Sequence, residues 1–307
     1  MKILRTIYTL CAAALLCSGC QDEAMIKQSG VKEGIPVTID LTFSAAIPQQ
    51  ETVGTRATTD PEHRVNDLYV LIFNKNTGAL KGEVLSYDYS ELNSTDPEGN
   101  KQNDDTGTLV GTLKSIETTT GESVIYAIAN VNNPPSEYNI TDEVKTAITN
   151  VQTIDDLEKI VVKLRDRNAN AVDRIYETRY IMSGSLTCTI DENGISGSNK
   201  DIPLFRTDSY VTFIVDNEVK DTKCTNFSLL SYRIYNIPVG TSLVSLGDKN
   251  YDDGVSDKSA NYWNFVEAEQ TGGNTFNFYL PENVKQAKEN FTDYASRDLC
   301  NKNPCGM

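Results

Sequence analysis

A strictly alternating stretch near the start of the chain constrains the fold more than any other feature. Within residues 37–43 every second side chain is large and apolar: Val37, Ile39, Leu41 and Phe43. The positions between them are polar. This period of two predicts a β-strand that is buried on one face and polar on the other. The strand can bury its apolar face only as part of a sheet that covers a hydrophobic core.

The segment after this strand is polar and contains one arginine. Residues 44–60 hold almost no large apolar side chains and are rich in Thr, Gln, Gly and Ala. Arg56 therefore lies in a linker that a trypsin-like protease could cut. Two interpretations follow. Residues 37–43 are either a plug strand that leaves after cleavage, or a permanent edge strand of the first domain beside an ordinary surface arginine.

The start of the chain predicts a lipoprotein signal peptide over residues 1–19. Lys2 and Arg5 precede an apolar run, Ile7–Leu16, that is too short to span a bilayer comfortably. The residues before Cys20 resemble a bacterial lipobox, which predicts a diacylated Cys20 as the new N-terminus and a lipid anchor in the outer membrane. The alternative is an ordinary secretory signal that is cleaved nearby.

Length and composition favour β structure in two domains. The 307 residues suit two domains of ordinary size, and the many Tyr, Thr and Ser side chains favour strands. The net charge of −15 argues against nucleic acid as a partner. We therefore predict an all-β protein with one short helical insertion. The apolar spacing places that insertion at Asp142–Asn150 and Thr153–Leu164, and Thr153 with Asp156 forms a capping box.

No residue pattern predicts a catalytic, metal or cofactor site. His63 is the only histidine and has no recognisable nucleophile or base beside it. The cysteines lack zinc-binding spacing, and Cys188 is expected to be a small core residue on a strand. Residues 248–254 are similar to a calcium loop, but their glycine comes one position late and Ser259 replaces the bidentate glutamate. An enzyme is therefore not expected.

A series of short motifs follows the alternating strand along the chain. They are Thr55-Arg56-Ala57, Leu68-Tyr69-Val70-Leu71-Ile72-Phe73-Asn74, Tyr126-Ala127-Ile128-Ala129-Asn130, Ile181-Met182-Ser183-Gly184, Ile202-Pro203-Leu204-Phe205-Arg206, Tyr235-Asn236-Ile237-Pro238 and Phe278-Tyr279-Leu280-Pro281-Glu282-Asn283. In their order and spacing, over roughly residues 37–283, the chain resembles the fimbrillin family, the subunits of type V fimbriae in Gram-negative gut and oral bacteria.

The resemblance implies two β-sandwich domains of transthyretin-like type. The expected organisation is a signal peptide (1–19), a propeptide with the plug strand (20–56), an N-terminal domain (57–197) and a C-terminal domain (198–307). The boundary is placed in the polar gap at residues 196–201. The family's second domain continues past the position of Asn283, so the second domain is expected to be incomplete here. The chain is then either a shortened form or a subunit that accepts a strand without offering one.

The resemblance also implies a route to the cell surface. An arginine-specific surface protease would cut the lipid-anchored precursor after Arg56, so that the mature subunit begins at Ala57. The vacated groove would take a donor strand from another fimbrial subunit, in a homo- or hetero-polymer that forms a cell-surface fimbria and supports adhesion. Two alternatives stay open. One is an uncleaved anchor or tip accessory lipoprotein, and the other is a glycan-binding surface lipoprotein that uses its Tyr side chains and Trp263.

Overall fold

The computed structural model describes most of the first two thirds of the chain and short strands beyond it. The described residues are 31–46, 64–105, 108–132, 138–139, 142–164, 180–197, 200–215, 230–232, 237–238, 240–244, 262–263, 268–269 and 275–281. Over these residues the protein is mostly β-strand, as predicted, and its short helices include one outside the predicted insertion, Tyr89–Leu92.

The strands and helices follow the chain in this order. The strands of the first part are β1 (Pro36–Ala46), β2 (Asp67–Asn74), β3 (Leu85–Asp88), β4 (Lys101–Asp105), β5 (Thr108–Thr119), β6 (Gly121–Ala129), β7 (Tyr138–Asn139), β8 (Val161–Leu164), β9 (Met182–Asp191), β10 (Gly194–Ile195) and β11 (Asp201–Arg206). The later strands are β12 (Asp208–Ile214), β13 (Ser231–Tyr232), β14 (Ile237–Pro238), β15 (Gly240–Ser242), β16 (Tyr262–Trp263), β17 (Ala268–Glu269) and β18 (Thr275–Pro281). The helices are α1 (Tyr89–Leu92), α2 (Asp142–Thr149) and α3 (Ile154–Glu158).

One large curled sheet holds most of the first part of the chain. Its strands run in the order β3-β2-β6-β9-β11-β1-β5-β4, with β10 paired to β9. Strand β11 changes partner along its length, because Asp201–Leu204 pairs with β1 whereas Phe205–Arg206 pairs with β9. The sheet therefore turns at β11. Its two halves contribute buried side chains to one hydrophobic core.

Strand β1 lies inside this sheet and not at its edge. It pairs antiparallel with β5 along its whole length and parallel with β11 over residues 42–45. Ile39, Leu41 and Phe43 are fully buried and Val37 is half-buried against the core, as the alternation predicts. The interpretation of this strand as an edge strand is wrong, because β1 lies between β11 and β5 in the sheet and its residues 42–45 have paired neighbours on both sides.

The helical insertion is shorter than predicted. Thr153 caps α3, and its capping box with Asp156 is confirmed. The prediction of a helix that continues to Leu164 is wrong, because α3 ends at Glu158 and residues 161–164 form β8. Val161 is exposed whereas Val162 is buried, which is the alternation of a strand. Pairing with β15 favours the extended form of these β-branched residues.

The part of the chain beyond β11 contributes smaller sheets. Strands β12 and β18 pair antiparallel, as do β13 with β17 and β14 with β16, while β15 joins β8 and β7. The predicted domain boundary at residue 198 precedes β11, which belongs to the large sheet. The division into two domains stays a prediction.

Candidate functional site: the groove that holds β1

Strand β1 occupies a groove between two strands that come much later in the chain. We call this space, flanked by β5 and by Asp201–Leu204 of β11, the β1 groove. The pairing with β5 runs from Pro36 opposite Thr119 to Ala46 opposite Thr108. Most of the backbone hydrogen bonds of β1 are therefore made with segments that lie far from it in sequence. Such a strand is held by the fold and not by its chain neighbours.

A glycine in one wall of the groove lies next to the ring of Phe43. Gly111 of β5 lies directly opposite Phe43 in the pairing register. A Cβ atom added to Gly111 would lie 2.0 Å from Phe43 Cζ, which is far inside van der Waals contact. The phenyl ring thus fills the space that the missing side chain leaves. Any larger residue at position 111 would displace the ring or the strand.

An irregularity in the pairing holds a carboxylate on the opposite face. The register between β1 and β5 shifts between Ile39 and Leu41, so that Asp40 faces a β-bulge at Lys114 and Ser115. Lys114 Nζ donates to Asp40 Oδ2 at 2.7 Å, and Ser115 N–H donates to Oδ1 at 3.2 Å. Ser115 has a φ of 58°, which is unusual for a residue other than glycine.

The charges at this bulge reinforce one another. The hydrogen bond from Lys114 holds the pKa of the Asp40 carboxyl below its usual value, and the same bond raises the pKa of Lys114. Burial of Asp40 opposes the first shift, while the charge of Lys200 beside β11 adds to it. Both side chains of the Asp40–Lys114 pair are partly exposed, at 52% and 39% respectively, so water weakens the attraction.

The other side of the strand is fastened to the start of β11. Thr42 donates both its backbone N–H and its hydroxyl to Lys200 O, at 3.1 and 3.0 Å. Ser44 Oγ donates to Asp201 Oδ2 at 2.5 Å. The polar face of β1 therefore contacts both walls of the β1 groove, while its apolar face enters the core.

The residues just before β1 attach to the turn that follows β5. Thr120 Oγ1 accepts from Ile35 N–H at 3.0 Å and donates to Lys32 O at 2.5 Å. Thr120 N–H also donates to Ile35 O at 2.8 Å. Glu33 Oε1 accepts from Asn74 Nδ2 at 2.5 Å. The chain is thus held at a second point ahead of the strand itself.

A separate polar network fixes the chain where it enters β2. Asn130, with a φ of 65°, donates through Nδ2 to Arg64 O at 3.0 Å and to Tyr180 O at 2.6 Å. Its Oδ1 accepts from Asn66 N–H at 2.9 Å, and Val65 between these contacts is fully buried. None of these bonds involves β1. The start of β2, which follows residues 47–63 in the chain, is therefore attached to the fold independently of β1.

The predicted site residues fall into two groups. The structure brings the apolar residues of β1 together in the core. Cys20, Arg56 and Ala57 lie outside the described residues, as do His63, residues 248–254, Cys300 and Cys305. Cys188 is a free, half-buried thiol on β9, and burial raises its pKa to about 11. Trp263 lies in β16, opposite Ile237 of β14.

Sequence reasoning missed the residues that line the groove. Gly111 interrupts an apolar strand, and a glycine in a strand interior often marks a close approach of another group. That signal is present in the sequence, but only the pairing register identifies Phe43 as the approaching group. Nothing local marks Lys114 and Ser115 as a bulge.

Two further observations concern the part of the chain that the structure describes. None of its His, Cys, Asp and Glu side chains form a group of three or more that could hold a metal ion. None of its helices is long and apolar enough to cross a membrane.

Comparison with known proteins places the chain among fimbrial proteins. The family profile described as "Major fimbrial subunit protein (FimA)" matches residues 35–204, which is more than half of the chain and extends from the start of β1 into β11. A sequence search of curated proteins finds no match.

Several solved structures are similar at low sequence identity. The tip fimbrial protein Mfa3 from Porphyromonas gingivalis, with a C-terminal truncation, has 16% identity and a TM-score of 0.43 over 84% of this chain and 75% of that one. A fimbrial assembly protein from Parabacteroides distasonis has 12% identity and a TM-score of 0.43, with coverage of 80% and 86%. A fimbrilin from Porphyromonas gingivalis has 12% identity and a TM-score of 0.43, with coverage of 82% and 68%.

The match to the family profile decides the assignment, and it confirms the resemblance that the sequence motifs indicate. The matched residues include β1, both walls of the groove and the strands of the large sheet between them. The chain belongs to the FimA major fimbrial subunit family.

Proposed function

We propose that this chain is a structural subunit of a cell-surface fimbria, in which β1 is a temporary occupant of its groove. After cleavage, a strand from a neighbouring subunit takes the place of β1, and repetition of this exchange builds a fibre that supports adhesion. One observation carries the proposal. β1 is an interior strand of the sheet, yet a polar segment with an arginine, residues 47–63, joins it to the rest of the fold.

The size of the buried face explains why an empty groove would be refilled. Ile39, Leu41 and Phe43 are each fully buried, and each contributes about 1.5–3 kcal/mol. Together they give about 4.5–9 kcal/mol as an upper estimate, which is comparable with the stability of a whole domain. Loss of β1 would also leave unpaired backbone groups on β5 and β11, which favours the addition of another strand.

The direction of exchange favours a filament. A strand given by one subunit and taken by the next is a head-to-tail contact, which forms an open polymer when it does not close into a ring. While β1 stays attached to the chain, it fills the β1 groove and blocks that contact. The covalent connection through residues 47–63 therefore delays assembly until cleavage.

The attachment of β2 favours Arg56 over the next arginine as the cleavage site. Arg64 has an exposed side chain, but its carbonyl accepts a hydrogen bond from Asn130 and the following Val65 is fully buried. A protease needs a short stretch of free backbone, which this position does not offer. We propose that an arginine-specific surface protease cuts after Arg56, releases the mature subunit from Ala57 and leaves the lipid at Cys20 in the outer membrane.

A pair of conservative substitutions tests this proposal. Arg56→Lys keeps the positive charge but removes the side chain that an arginine-specific protease needs, and Arg64→Lys is the matched control. We expect the Arg56→Lys protein to stay in the outer membrane fraction with its lipid and to be absent from sheared fimbriae. The Arg64→Lys protein should assemble like the unaltered chain. Normal incorporation of the Arg56→Lys protein into fimbriae would refute the proposal.

A further inference from the structure

We propose that the β1 groove selects its incoming strand by two side chains, a carboxylate at the position of Asp40 and an aromatic ring at the position of Phe43. The occupant is a strand of another fimbrial subunit that runs in the direction of β1. This inference rests on the proposed function, because it concerns the strand that enters after β1 leaves.

The carboxylate position is built from two donors of β5. Lys114 Nζ and Ser115 N–H both point at the Asp40 carboxylate, one at each oxygen. The left-handed backbone of Ser115 aims its N–H at the strand, and this conformation belongs to β5 and not to β1. Lys200, on the opposite wall, also favours the charged form of Asp40. The chain has a net charge of −15, so most of its surface repels a negative side chain. The positive groups on both sides of β1 instead attract a negative side chain at the position of Asp40.

The aromatic position is a hollow on the core face. Gly111 leaves room for the ring of Phe43, whose Cζ lies 2.0 Å from the point that a Cβ would occupy. A small apolar side chain in this position would leave the hollow partly empty, and such unfilled space is costly in a packed core. The hollow therefore favours a large planar side chain over a branched aliphatic one.

The two positions together determine the register of the incoming strand. Asp40 lies on the polar face and Phe43 on the core face, three residues later. A slip of one residue would exchange the faces, so that the ring would point to solvent and the carboxylate into the core. Only one register satisfies both positions. A strand with an acidic residue, two further residues and then an aromatic residue would meet this requirement.

Peptide exchange into the cleaved protein tests the inference. The purified full-length protein is cut with an arginine-specific protease and incubated with an excess of a labelled peptide that has the sequence of residues 36–46. Bound label is measured after separation of the free peptide. Two altered peptides carry Asp40→Asn or Phe43→Val. Each peptide is also offered to cleaved proteins with Lys114→Gln or Gly111→Ala.

The expected results are specific to each pair. The unaltered peptide should bind about threefold more tightly than the Asp40→Asn peptide, as for a partly exposed ion pair, and Lys114→Gln should remove this difference. The unaltered protein should prefer the unaltered peptide to the Phe43→Val peptide by about tenfold or more, and Gly111→Ala should reverse this preference because it fills the hollow. Lys114 is exposed, so we expect the Lys114→Gln protein to fold. The comparison of the unaltered peptide with the Asp40→Asn peptide can therefore be made even if Gly111→Ala impairs folding.

The outcomes separate this inference from the proposed function. If the unaltered peptide never enters the cleaved protein, strand replacement is refuted and the selection rule falls with it. If all three peptides enter equally well, strand replacement stands but the groove does not select its occupant in the way proposed. A preference that persists unchanged in Lys114→Gln and Gly111→Ala would likewise overturn the assignment of these two positions.

Discussion

Substitution of Phe43 by alanine should destabilise the uncleaved protein strongly. The side chain of Phe43 is 0% exposed, and truncation of a buried phenylalanine costs about 3–5 kcal/mol. The residue opposite is Gly111, which has no side chain that could move into the space. We therefore expect a loss near the middle of this range, about 4 kcal/mol of the free energy of unfolding. For a domain of this size that corresponds to a fall in melting temperature of about 8–16 °C.

Chemical denaturation of the uncleaved protein, followed by circular dichroism, measures this loss. Thr38→Ala is the matched control, because Thr38 is exposed on the same strand, and its effect should stay within about 0.5 kcal/mol. A second control is the protein cut after Arg56 and freed of β1. The Phe43→Ala and unaltered proteins are then identical in sequence, so their stabilities should be equal. A loss below about 1 kcal/mol for Phe43→Ala would refute the claim that β1 is part of the core.

Three further predictions concern other contacts of the sheet. Gly184→Ala should destabilise the protein by about 2 kcal/mol in chemical denaturation, because its Cβ would lie 2.0 Å from the carbonyl oxygen of Pro203. The hydrogen bond from Lys114 lowers the folded-state pKa of Asp40 below 3.8, the usual value of an aspartate. The contribution of the Asp40–Lys114 pair to stability is therefore present above about pH 4 and is lost as the pH falls through the lowered pKa. Asp40→Asn should reduce the acid-induced fall in melting temperature. Cys188, with a pKa of about 11, should react slowly with iodoacetamide at pH 8 and rapidly after unfolding, as followed by mass spectrometry.

Each of these predictions has a contrary result. An unchanged unfolding midpoint for Gly184→Ala would mean that β9 and β11 do not approach as closely as described. Identical pH profiles for the unaltered and Asp40→Asn proteins would mean that the ion pair with Lys114 contributes nothing in solution. Rapid alkylation of Cys188 in the folded protein would contradict its burial.

The alternation of single strands predicted the core face of β1 correctly. It gave Ile39, Leu41 and Phe43 as inward residues, because a period of two is a local property of the backbone. The same local reasoning failed at residues 161–164. Apolar residues at Leu157, Ile160 and Val161 fit a helical face as well as a strand, and the strand is favoured by β15, about eighty residues further along the chain.

The properties of the groove could not be predicted, because they depend on long-range register. That β1 is an interior strand follows from β11, whose two halves pair with different strands. The hollow at Gly111 and the bulge at Ser115 acquire meaning only when β5 is aligned with β1. Sequence patterns identified the strand that occupies the groove, whereas the walls that hold it required the structure.

The N-terminal sequence and intact mass of the protein in sheared fimbriae test the central claim most directly. If β1 is removed as proposed, the recovered protein begins at Ala57, carries no lipid and contains no peptide from residues 36–46. A protein that begins at a diacylated Cys20, with β1 still in the chain, would contradict it. The groove would then keep its own strand, and an anchor or accessory role would fit the fimbrial family better than exchange between subunits.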